Sequence, residues 1–248
     1  MSTLDERLYQ SYVSTIAGTS DAGSTALIYR RQIRPYLPAD AAGRKVLDIG
    51  CGQGELVRQL AGDGFDACGV DISPEQVEQA HAQGLHHVRL GDFHEVLNSS
   101  GEDWDAVIAT DVLEHLDKAE ALRTFEDVRR SLRPGGVFLA RVPNAVSPTG
   151  GHIMHSDLTH HTWFTQRSVR QLAAVAGFGA VRTFACPPVV HGGLSAMRKL
   201  VWAPISGLLK LALAAETGRV RGHIVTHNLT FAAYRDPFAG PSPQAGAP

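Results

Sequence analysis

The strongest constraint on the fold of this chain comes from residues 46–56, a short apolar run that leads into three alternating glycines. Val46 to Ile49 suit a buried strand, and Glu55 begins a helical pattern. Glycines at positions 50, 52 and 54 let the backbone turn sharply and pass close to a ligand, because no Cβ stands in the way. The stretch therefore predicts a strand, a tight loop and a helix around a ligand the size of a nucleotide.

A carboxylate two residues before the first glycine indicates which ligand the loop binds. Asp48 would repel a pyrophosphate but would attract the ammonium of an amino acid. The dinucleotide fingerprint also spaces its glycines as G-x-G-x-x-G, whereas the third glycine here falls one position early, at residue 54. The pattern therefore favours S-adenosylmethionine (SAM) as the cofactor over the dinucleotide of a dehydrogenase.

Strand-like and helix-like segments alternate from about residue 45, which is typical of a parallel α/β sheet built from crossovers. Helix starts are marked by Ser73, with Gln76 completing a capping box, by Asp117 and by Thr165. The predicted fold class is therefore α/β. Seven strands are expected, at residues 46–49, 65–71, 87–90, 105–110, 137–142, 181–186 and 229–234.

The composition is that of a single globular unit. The chain has 248 residues, 44% of them hydrophobic and 19% charged, which is enough to bury one large core. A net charge of -2 gives no electrostatic case for nucleic acid. Cys51, Cys68 and Cys186 lie far apart, which argues against a disulfide framework or a zinc cluster and indicates a reducing, cytoplasmic setting. The first residues lack an apolar segment of signal-peptide type, and no run reaches the roughly 18 apolar residues of a membrane span.

Acids also follow the second and third predicted strands, at the carboxyl ends where open α/β sheets bind ligands. Asp71 lies about twenty residues past the glycine loop, where a carboxylate can accept hydrogen bonds from both ribose hydroxyls. Asp92 is placed to accept from the exocyclic amine of adenine, with Phe93 beside it to cover the ring. The predicted cofactor-binding residues are Asp48, Gly50, Cys51, Gly52, Gly54, Asp71, Ile72, Asp92, Phe93 and Thr110.

In their order along the chain, these motifs resemble those of class I SAM-dependent methyltransferases. The similarity covers residues 40–186 and is most specific in the cofactor half. It implies a Rossmann-like seven-stranded sheet, mostly parallel with an antiparallel last strand, and helices on both faces. The segments that carry the similarity are residues 46–56, Asp71, and residues 91–93, 105–116 and 133–142.

The segment after the fourth predicted strand bears on the methyl acceptor. If a helix begins at Asp111, then Glu114 and His115 share its face, and His160 could supply a fourth ligand to one cation. This pattern is similar to that of ubiquinone-pathway O-methyltransferases and small-RNA 2′-O-methyltransferases. The similarity implies a divalent ion, Mg²⁺ or Mn²⁺, that binds vicinal hydroxyls and acidifies one of them. Asp111 is one carbon shorter than the Glu of those families.

Two other interpretations of the acceptor side remain open. In a metal-free site His115, His152, His155 or His160 acts as general base, since an imidazole titrates near neutrality and can take a hydroxyl proton. Alternatively, these histidines only cap a helix or organise a loop. His161 is expected to be a surface residue in either case.

The C-terminal half resembles methyltransferases of glycan and secondary-metabolite pathways, through residues 156–165, 176–178, 215–218 and 227–229. The predicted function is methyl transfer from SAM to a hydroxyl of a small polyhydroxylated, sugar-like or phenolic metabolite. The alternatives are N-methylation of an amino sugar or small amine, and 2′-O-methylation of RNA. An RNA substrate needs a basic face, for which the candidates are Arg123, Arg129, Arg130 and Arg133.

The sequence also predicts a division of the chain. A helical cap at residues 1–40 precedes a core formed by residues 41–186 and 227–235, and a disordered tail occupies residues 236–248. The intervening residues 187–226 form an insert, expected as two short helices because Pro204 and Gly207 interrupt the apolar pattern. This insert is interpreted as a unit packed on the core, as a lid over the substrate, or as a helix in weak contact with a membrane surface. The oligomeric state is left open.

Overall fold

A computed structural model of the protein describes residue 8, residues 22–99, residue 101 and residues 103–236. The strands are β1 Lys45–Ile49, β2 Asp66–Asp71, β3 Val88–Leu90, β4 Trp104–Thr110, β5 Leu132–Pro143, β6 Ala180–Ala185 and β7 Asn228–Tyr234. The α-helices are α1 Ala22–Ile28, α2 Glu55–Gly62, α3 Pro74–Ala82, α4 Phe93–Ser99, α5 Lys118–Ser131, α6 Gly150–Met154, α7 Gln166–Val175 and α8 Gly193–Thr217.

The seven strands form one sheet in the order β3-β2-β1-β4-β5-β7-β6. Strands β1 to β5 pair in parallel, while β7 runs antiparallel to both β5 and β6. The predicted α/β sheet with an antiparallel last strand is therefore confirmed. The strand order reverses between β1 and β4, and such a switch point opens a ligand crevice beyond the carboxyl ends of the strands.

Alternating side chains of each central strand enter two apolar layers, one on each face of the sheet. Leu47 and Ile49 of β1 join the layer beneath α5 and α7, whereas Val46 joins the layer beneath α2 and α3. In the first layer the ring of Phe125 lies 5.2 Å from that of Phe138, edge to face. Helices cover both faces, as predicted.

The predicted helix starts are largely observed. Asp117 caps α5 by accepting from the amides of residues 119 and 120, and Thr165 forms a capping box with Ser168. Ser73 caps α3, but its box is not completed by Gln76, so that part of the prediction is wrong. The Gln76 side chain is directed at the glycine loop instead, with Oε1 3.6 Å from the position a Cβ on Gly52 would take.

Strand β5 begins five residues earlier than predicted. The segment from Arg133 to Gly136 suggests a turn, but it forms a bulge because Leu132 still pairs with Trp104 while Val137 pairs with Ala106. The segment between β5 and α7 also contains the short helix α6.

The predicted pair of short insert helices is wrong, because α8 is one helix of 25 residues that runs through Pro204. Ser195 is its one buried residue. A proline forfeits one helical hydrogen bond, and in an exposed helix water can take the place of that bond. Within the part of the chain described, α8 is the one helix long and apolar enough to cross a membrane by length and composition, although the sequence shows no unbroken apolar run of that length.

The predicted N-terminal cap is described from residue 22 onward. Helix α1 continues into a π-helical turn, Tyr29–Ile33, and a 3-10 turn, Arg34–Tyr36. Tyr29 is buried, and its hydroxyl donates to Asp63 at the end of α2. Residues 1–7 and 9–21 of the predicted cap, and residues 237–248 of the predicted tail, lie outside the described residues. The division into cap, core and insert stays a prediction.

Candidate active site

The glycine loop after β1 adopts a backbone that other residues rarely accept. Gly50, Gly52 and Gly54 have φ values of 64°, 55° and 75°. A Cβ on Gly50 would lie 2.5 Å from Val112, and one on Gly54 would lie 2.7 Å from Val88. A Cβ on Gly52 would meet no atom closer than 3.6 Å. Packing therefore requires the outer two glycines, whereas the middle one leaves room for a ligand.

Asp71 ties this loop to the start of α3. Its Oδ2 accepts from the Gly52 amide at 2.8 Å, and its Oδ1 accepts from the Ser73 amide at 2.8 Å. Burial raises the pKa of Asp71, and these hydrogen bonds oppose the rise. Each carboxylate oxygen has a second lone pair, so Asp71 can hold the loop in place and still accept from ligand hydroxyls.

Two adjoining cavities open at the switch point. The larger, of about 480 Å³, lies between the ends of β2 and β3 and the start of α5, and the smaller, of about 240 Å³, lies over β1 and β4. They meet at Gly50, Gly52, Gln76 and Asp111. The predicted cofactor residues that line one or both are Asp48, Gly50, Cys51, Gly52, Asp71, Ile72, Asp92, Phe93 and Thr110. The remaining one, Gly54, lies behind the loop against Val88.

Asp48 contributes a buried carboxylate to the smaller cavity. Its burial, with the charge of Asp71 nearby, raises its pKa well above the usual range. A buried carboxylate is stable when a cation accompanies it. The smaller cavity thus suits an ammonium group, and the larger one suits a nucleoside. Asp92 also caps α4, because its Oδ1 accepts from the His94 amide at 2.8 Å.

Asp111 occupies a special position after β4. It is the one non-glycine residue with positive φ, 55°, in the part of the chain that is described. Arg141, at the end of β5, donates to it through Nε, 3.1 Å from Oδ1, and through Nη2. The predicted helix from Asp111 does not form, since the following turn is a 3-10 turn over Leu113–His115. Asp111 is therefore held by Arg141 and does not join the cation ligands predicted with it.

The other three predicted metal ligands do converge. One ligand atom from each of Glu114, His115 and His160 lies within 4.8 Å of the other two. Burial, followed by the charge of Asp111, raises the pKa of Glu114 well above its usual range. Glu114 Oε2 and His160 Nδ1 are buried without a hydrogen-bond partner among the described residues. Two unsatisfied acceptor-type atoms beside an imidazole fit a divalent cation, so this donor set is compatible with Mg²⁺ or Mn²⁺.

A chain of hydrogen bonds fixes the protonation of His115. The Thr159 hydroxyl donates to Asp157 Oδ1 at 2.6 Å, and it lies 2.7 Å from His115 Nδ1. A hydroxyl has one hydrogen, so His115 Nδ1 must be the donor of the second bond, and the lone pair of the ring is on Nε2. Burial and the nearby His160 lower the pKa of His115 to about 4, so the ring is neutral at pH 7.

The remaining candidate histidines lie elsewhere. His152 and His155 are exposed, and the His155 ring contacts the edge of Trp163 at 5.6 Å. His161 is exposed, as expected, at the wall of the larger cavity. The site therefore brings together His115 and His160 of the four predicted catalytic histidines.

Four residues of the site were not predicted from the sequence: Arg141, Asp157, Thr159 and Gln76 as a cavity wall. The sequence does contain a signal for Arg141. An arginine near the carboxyl end of an otherwise apolar strand is rarely buried without a charged partner, so its position predicts an acidic neighbour. The Asp157–Thr159 spacing is typical of a turn in which an Asp side chain accepts from the backbone two residues on, and Asp157 does so at 2.9 Å. That signal predicts local structure but not the contact with His115.

A doubly covered sheet with a crevice at its switch point is typical of α/β proteins that bind nucleotide-like ligands, and solved structures share this fold. A SAM-dependent methyltransferase from Archaeoglobus fulgidus aligns with a TM-score of 0.65 at 19% identity, over 92% of this chain and 99% of that one. Phosphoethanolamine N-methyltransferase 2 from Haemonchus contortus, solved with S-adenosyl-L-methionine, gives a TM-score of 0.61 at 17% identity, over 92% of this chain and 60% of that one. At these identities the likeness shows the fold alone.

The family follows from the sequence comparisons. A family model described as a methyltransferase domain matches residues 25–183, well over half of the chain, so the chain belongs to the SAM-dependent methyltransferases. The resemblance found in the sequence motifs is thereby confirmed. A ubiquinone biosynthesis O-methyltransferase from Methylobacterium sp. (strain 4-46) is 35% identical over 115 residues, 44% of this chain and 45% of that protein. One from Cereibacter sphaeroides is 33% identical over 120 residues, 47% of each. The chain thus spans less than half the length of these curated relatives.

Proposed function

We propose that this methyltransferase acts on a hydroxyl of a small polyhydroxylated, sugar-like or phenolic acceptor, in the cytoplasm. The observation that carries the proposal is the neutral imidazole of His115, which lines the larger cavity and has its lone pair on Nε2. A hydroxyl must lose its proton to become a good nucleophile, and a positioned imidazole can take that proton. The three free thiols support the cytoplasmic setting, because cysteines stay reduced there. Relatives named as O-methyltransferases support a hydroxyl as the acceptor.

The residues around the crevice have separate roles in this proposal. When bound, SAM would supply a methyl group on its sulfonium sulfur; the acceptor oxygen would attack the methyl carbon in line as the carbon–sulfur bond breaks, with the neutral thioether of S-adenosylhomocysteine as leaving group. The backbone at Gly50 and Gly52 and the carboxylate of Asp48 bind the methionine end, while Asp71 binds the ribose. Asp92 and Phe93 bind the adenine.

His115 has the role of general base. Its Nε2 accepts the hydroxyl proton as the bond to the methyl carbon forms. The imidazolium that results is stabilised by Asp157, because Thr159 links the two through hydrogen bonds of 2.7 Å and 2.6 Å. Asp157 Oδ2 lies 4.0 Å from His160 Nε2 and so contributes its charge to both rings.

A divalent cation is compatible with the same cluster. Glu114, His115 and His160 would hold it, and a bound cation would acidify an acceptor hydroxyl. In that version His115 is a ligand and does not act as the base, which makes the two versions separable by experiment.

The small-molecule assignment is supported by the surroundings of the arginines suggested for RNA. Arg130 pairs with Asp127, and Arg133 pairs with Asp103 and Asp105. Arg123 faces Glu120 and Asp127. Arg129 donates to a backbone carbonyl at Gly177. Acidic partners reduce the positive potential that a phosphate backbone requires.

The proposal is tested first by calorimetry with SAM and S-adenosylhomocysteine. We expect micromolar-range binding by the wild-type chain and weaker binding by Gly52→Ala, in which a Cβ enters the cofactor crevice. Gly84→Ala is the matched control, since Gly84 also has positive φ, 81°, but a Cβ there would meet nothing within 4 Å. Absence of SAM binding by the wild-type chain would remove the cofactor assignment, and equal binding by all three proteins would refute the position of the cofactor at Gly52.

The acceptor class is tested by measuring S-adenosylhomocysteine formation with a panel of catechols, polyols and amines. O-methylation predicts turnover with hydroxyl acceptors and its loss in His115→Gln, with SAM binding retained. Turnover with amines alone would favour N-methylation and overturn the hydroxyl assignment.

A further inference from the structure

Helix α8 exposes its apolar face to solvent, whereas a helix of a globular protein usually buries that face. Its large apolar side chains are exposed, for example Leu200 at 74% and Leu208 at 67%. At 3.6 residues per turn, these side chains share one arc of about 140° along the whole helix. The apolar stripe consists of Leu194, Met197, Leu200, Val201, Ile205, Leu208 and Leu211.

The side of α8 away from the apolar stripe is less exposed. Trp202, Ser206, Leu209 and Leu213 are half-buried, and they lie on the far side of the helix from the apolar stripe. The apolar stripe is therefore the most exposed side of the helix. Contiguous exposed apolar surface of this kind marks an interaction site.

The charge of the insert indicates the partner. Residues 187–226 contain five basic residues and one acid, Glu216, so the segment carries +4 while the whole chain carries -2. The remainder of the chain therefore carries -6. Arg198 borders the stripe, whereas Lys199 and Lys210 lie on the side of the helix away from it, which is the side that an in-plane amphipathic helix turns toward the headgroups and water. The basic residues of the segment are Arg198, Lys199, Lys210, Arg219 and Arg221.

The insert leaves the sheet at the edge that holds the active site. Strand β6 ends there and β7 begins there, because β7 is antiparallel to the rest of the sheet. The two ends of the insert are joined, since the Cys186 amide donates to the Thr226 hydroxyl at 3.1 Å. Asn144, which directly follows β5, donates to the carbonyls of Ile224 and Thr226 at 2.9 Å.

We propose that α8 lies in the plane of an anionic lipid bilayer, with the apolar stripe in the interface and the basic residues at the headgroups. An in-plane position explains a stripe that keeps one direction over the whole helix, whereas a spanning helix would bury Lys210 in hydrocarbon. Because both ends of the insert join the active-site edge of the sheet, docking in this way tethers that edge to the membrane.

Vesicle flotation tests the proposal, and it is independent of methyl transfer. The full chain is mixed with phosphatidylcholine vesicles and with vesicles that also contain phosphatidylglycerol. We expect strong flotation with the anionic vesicles alone. Lys199→Gln with Lys210→Gln should weaken this binding about fivefold per lysine, as one kcal/mol per basic residue implies. Arg167→Gln, an exposed residue of α7, is the control for a lost positive charge elsewhere.

The apolar stripe is tested with Leu200→Ser and Leu208→Ser together, which should lower vesicle affinity at least about tenfold while SAM binding is retained. Val175→Ser, at a residue that is 62% exposed on α7, is the matched control. The proposal is overturned if the wild-type chain floats equally poorly with both vesicles, or if the leucine variant floats as well as the control. It is also overturned if the stripe mediates self-association, so that the wild-type chain is a dimer without lipid affinity and the leucine variant is a monomer.

Discussion

The hydroxyl of Thr159 offers a direct test of how His115 is held. Thr159→Val replaces that hydroxyl with a methyl group of similar size at a fully buried position. Two hydrogen bonds disappear: His115 Nδ1 loses the Thr159 hydroxyl, and Asp157 Oδ1 loses it too but still accepts from the Thr159 amide at 2.9 Å. At about 1 kcal/mol per bond, the free energy of unfolding should fall by roughly 1 to 3 kcal/mol.

The effect on catalysis is expected to be larger than the effect on folding. Without the Thr159 hydroxyl, His115 Nδ1 loses an acceptor that favours the Nδ1–H tautomer, and the imidazolium loses its link to Asp157. General-base catalysis contributes about 10²- to 10⁴-fold, so kcat should fall by about 100-fold or more. The affinity for SAM should be unchanged, because Thr159 lines neither cavity.

Thr162→Val is the matched control. Thr162 is also buried, and its hydroxyl donates to the Leu116 carbonyl at 2.6 Å, with no bond to His115. This variant should lose about 1 to 2 kcal/mol of stability and keep its kcat. Chemical denaturation and single-turnover methyl transfer measure the two quantities. The reasoning is refuted if both valine variants retain the same kcat although Thr159→Val is destabilised as expected.

Three further predictions follow from the geometry. Folding lowers the pKa of His115 from 6.5 to about 4, so the unfolded chain binds a proton first as the pH falls. Relative to His115→Gln, wild type should therefore lose about 3 kcal/mol of stability between pH 7 and pH 4, as measured by urea unfolding. A stability difference that stays constant with pH would contradict this pKa shift. Gly54→Ala should destabilise the protein by about 2 to 4 kcal/mol through its clash with Val88, whereas Gly84→Ala should cost about 1 kcal/mol, and equal melting temperatures would refute the packing argument. If Glu114, His115 and His160 hold a metal, EDTA should abolish turnover and Mg²⁺ or Mn²⁺ should restore it. Full activity in EDTA would refute the metal version and favour the version in which His115 acts as general base without a metal.

The strands of the sheet could be predicted closely from the sequence. Six of the seven begin and end within one residue of the expected positions, because glycine, aspartate or a polar cluster bounds each apolar run. The exception is β5, where Pro134 and two glycines suggest a turn. Pairing of Leu132 with Trp104 keeps that segment in the sheet as a bulge, and such a long-range contact leaves no local signal.

The candidate site could be predicted in part. The glycine loop and the strand-end acids are local patterns, so the cofactor crevice follows from the sequence. The acceptor side depends on tertiary contacts: Arg141 holds Asp111, and Asp157 reaches His115 through Thr159 from a segment 44 residues away. Helical spacing placed Asp111 with Glu114 and His115, but the left-handed backbone at Asp111 turns its side chain elsewhere.

The position of β7 between β5 and β6 has a consequence for synthesis on the ribosome. Five parallel strands and β6 are translated before residues 228–234, yet β6 has no neighbour in the sheet except β7. Until those residues emerge, β5 presents an open edge, and such edges recruit other chains. More than forty residues, including α8, separate the end of β6 from the start of β7. While they are synthesised, β6 stays unpaired and β5 stays at the edge of the sheet.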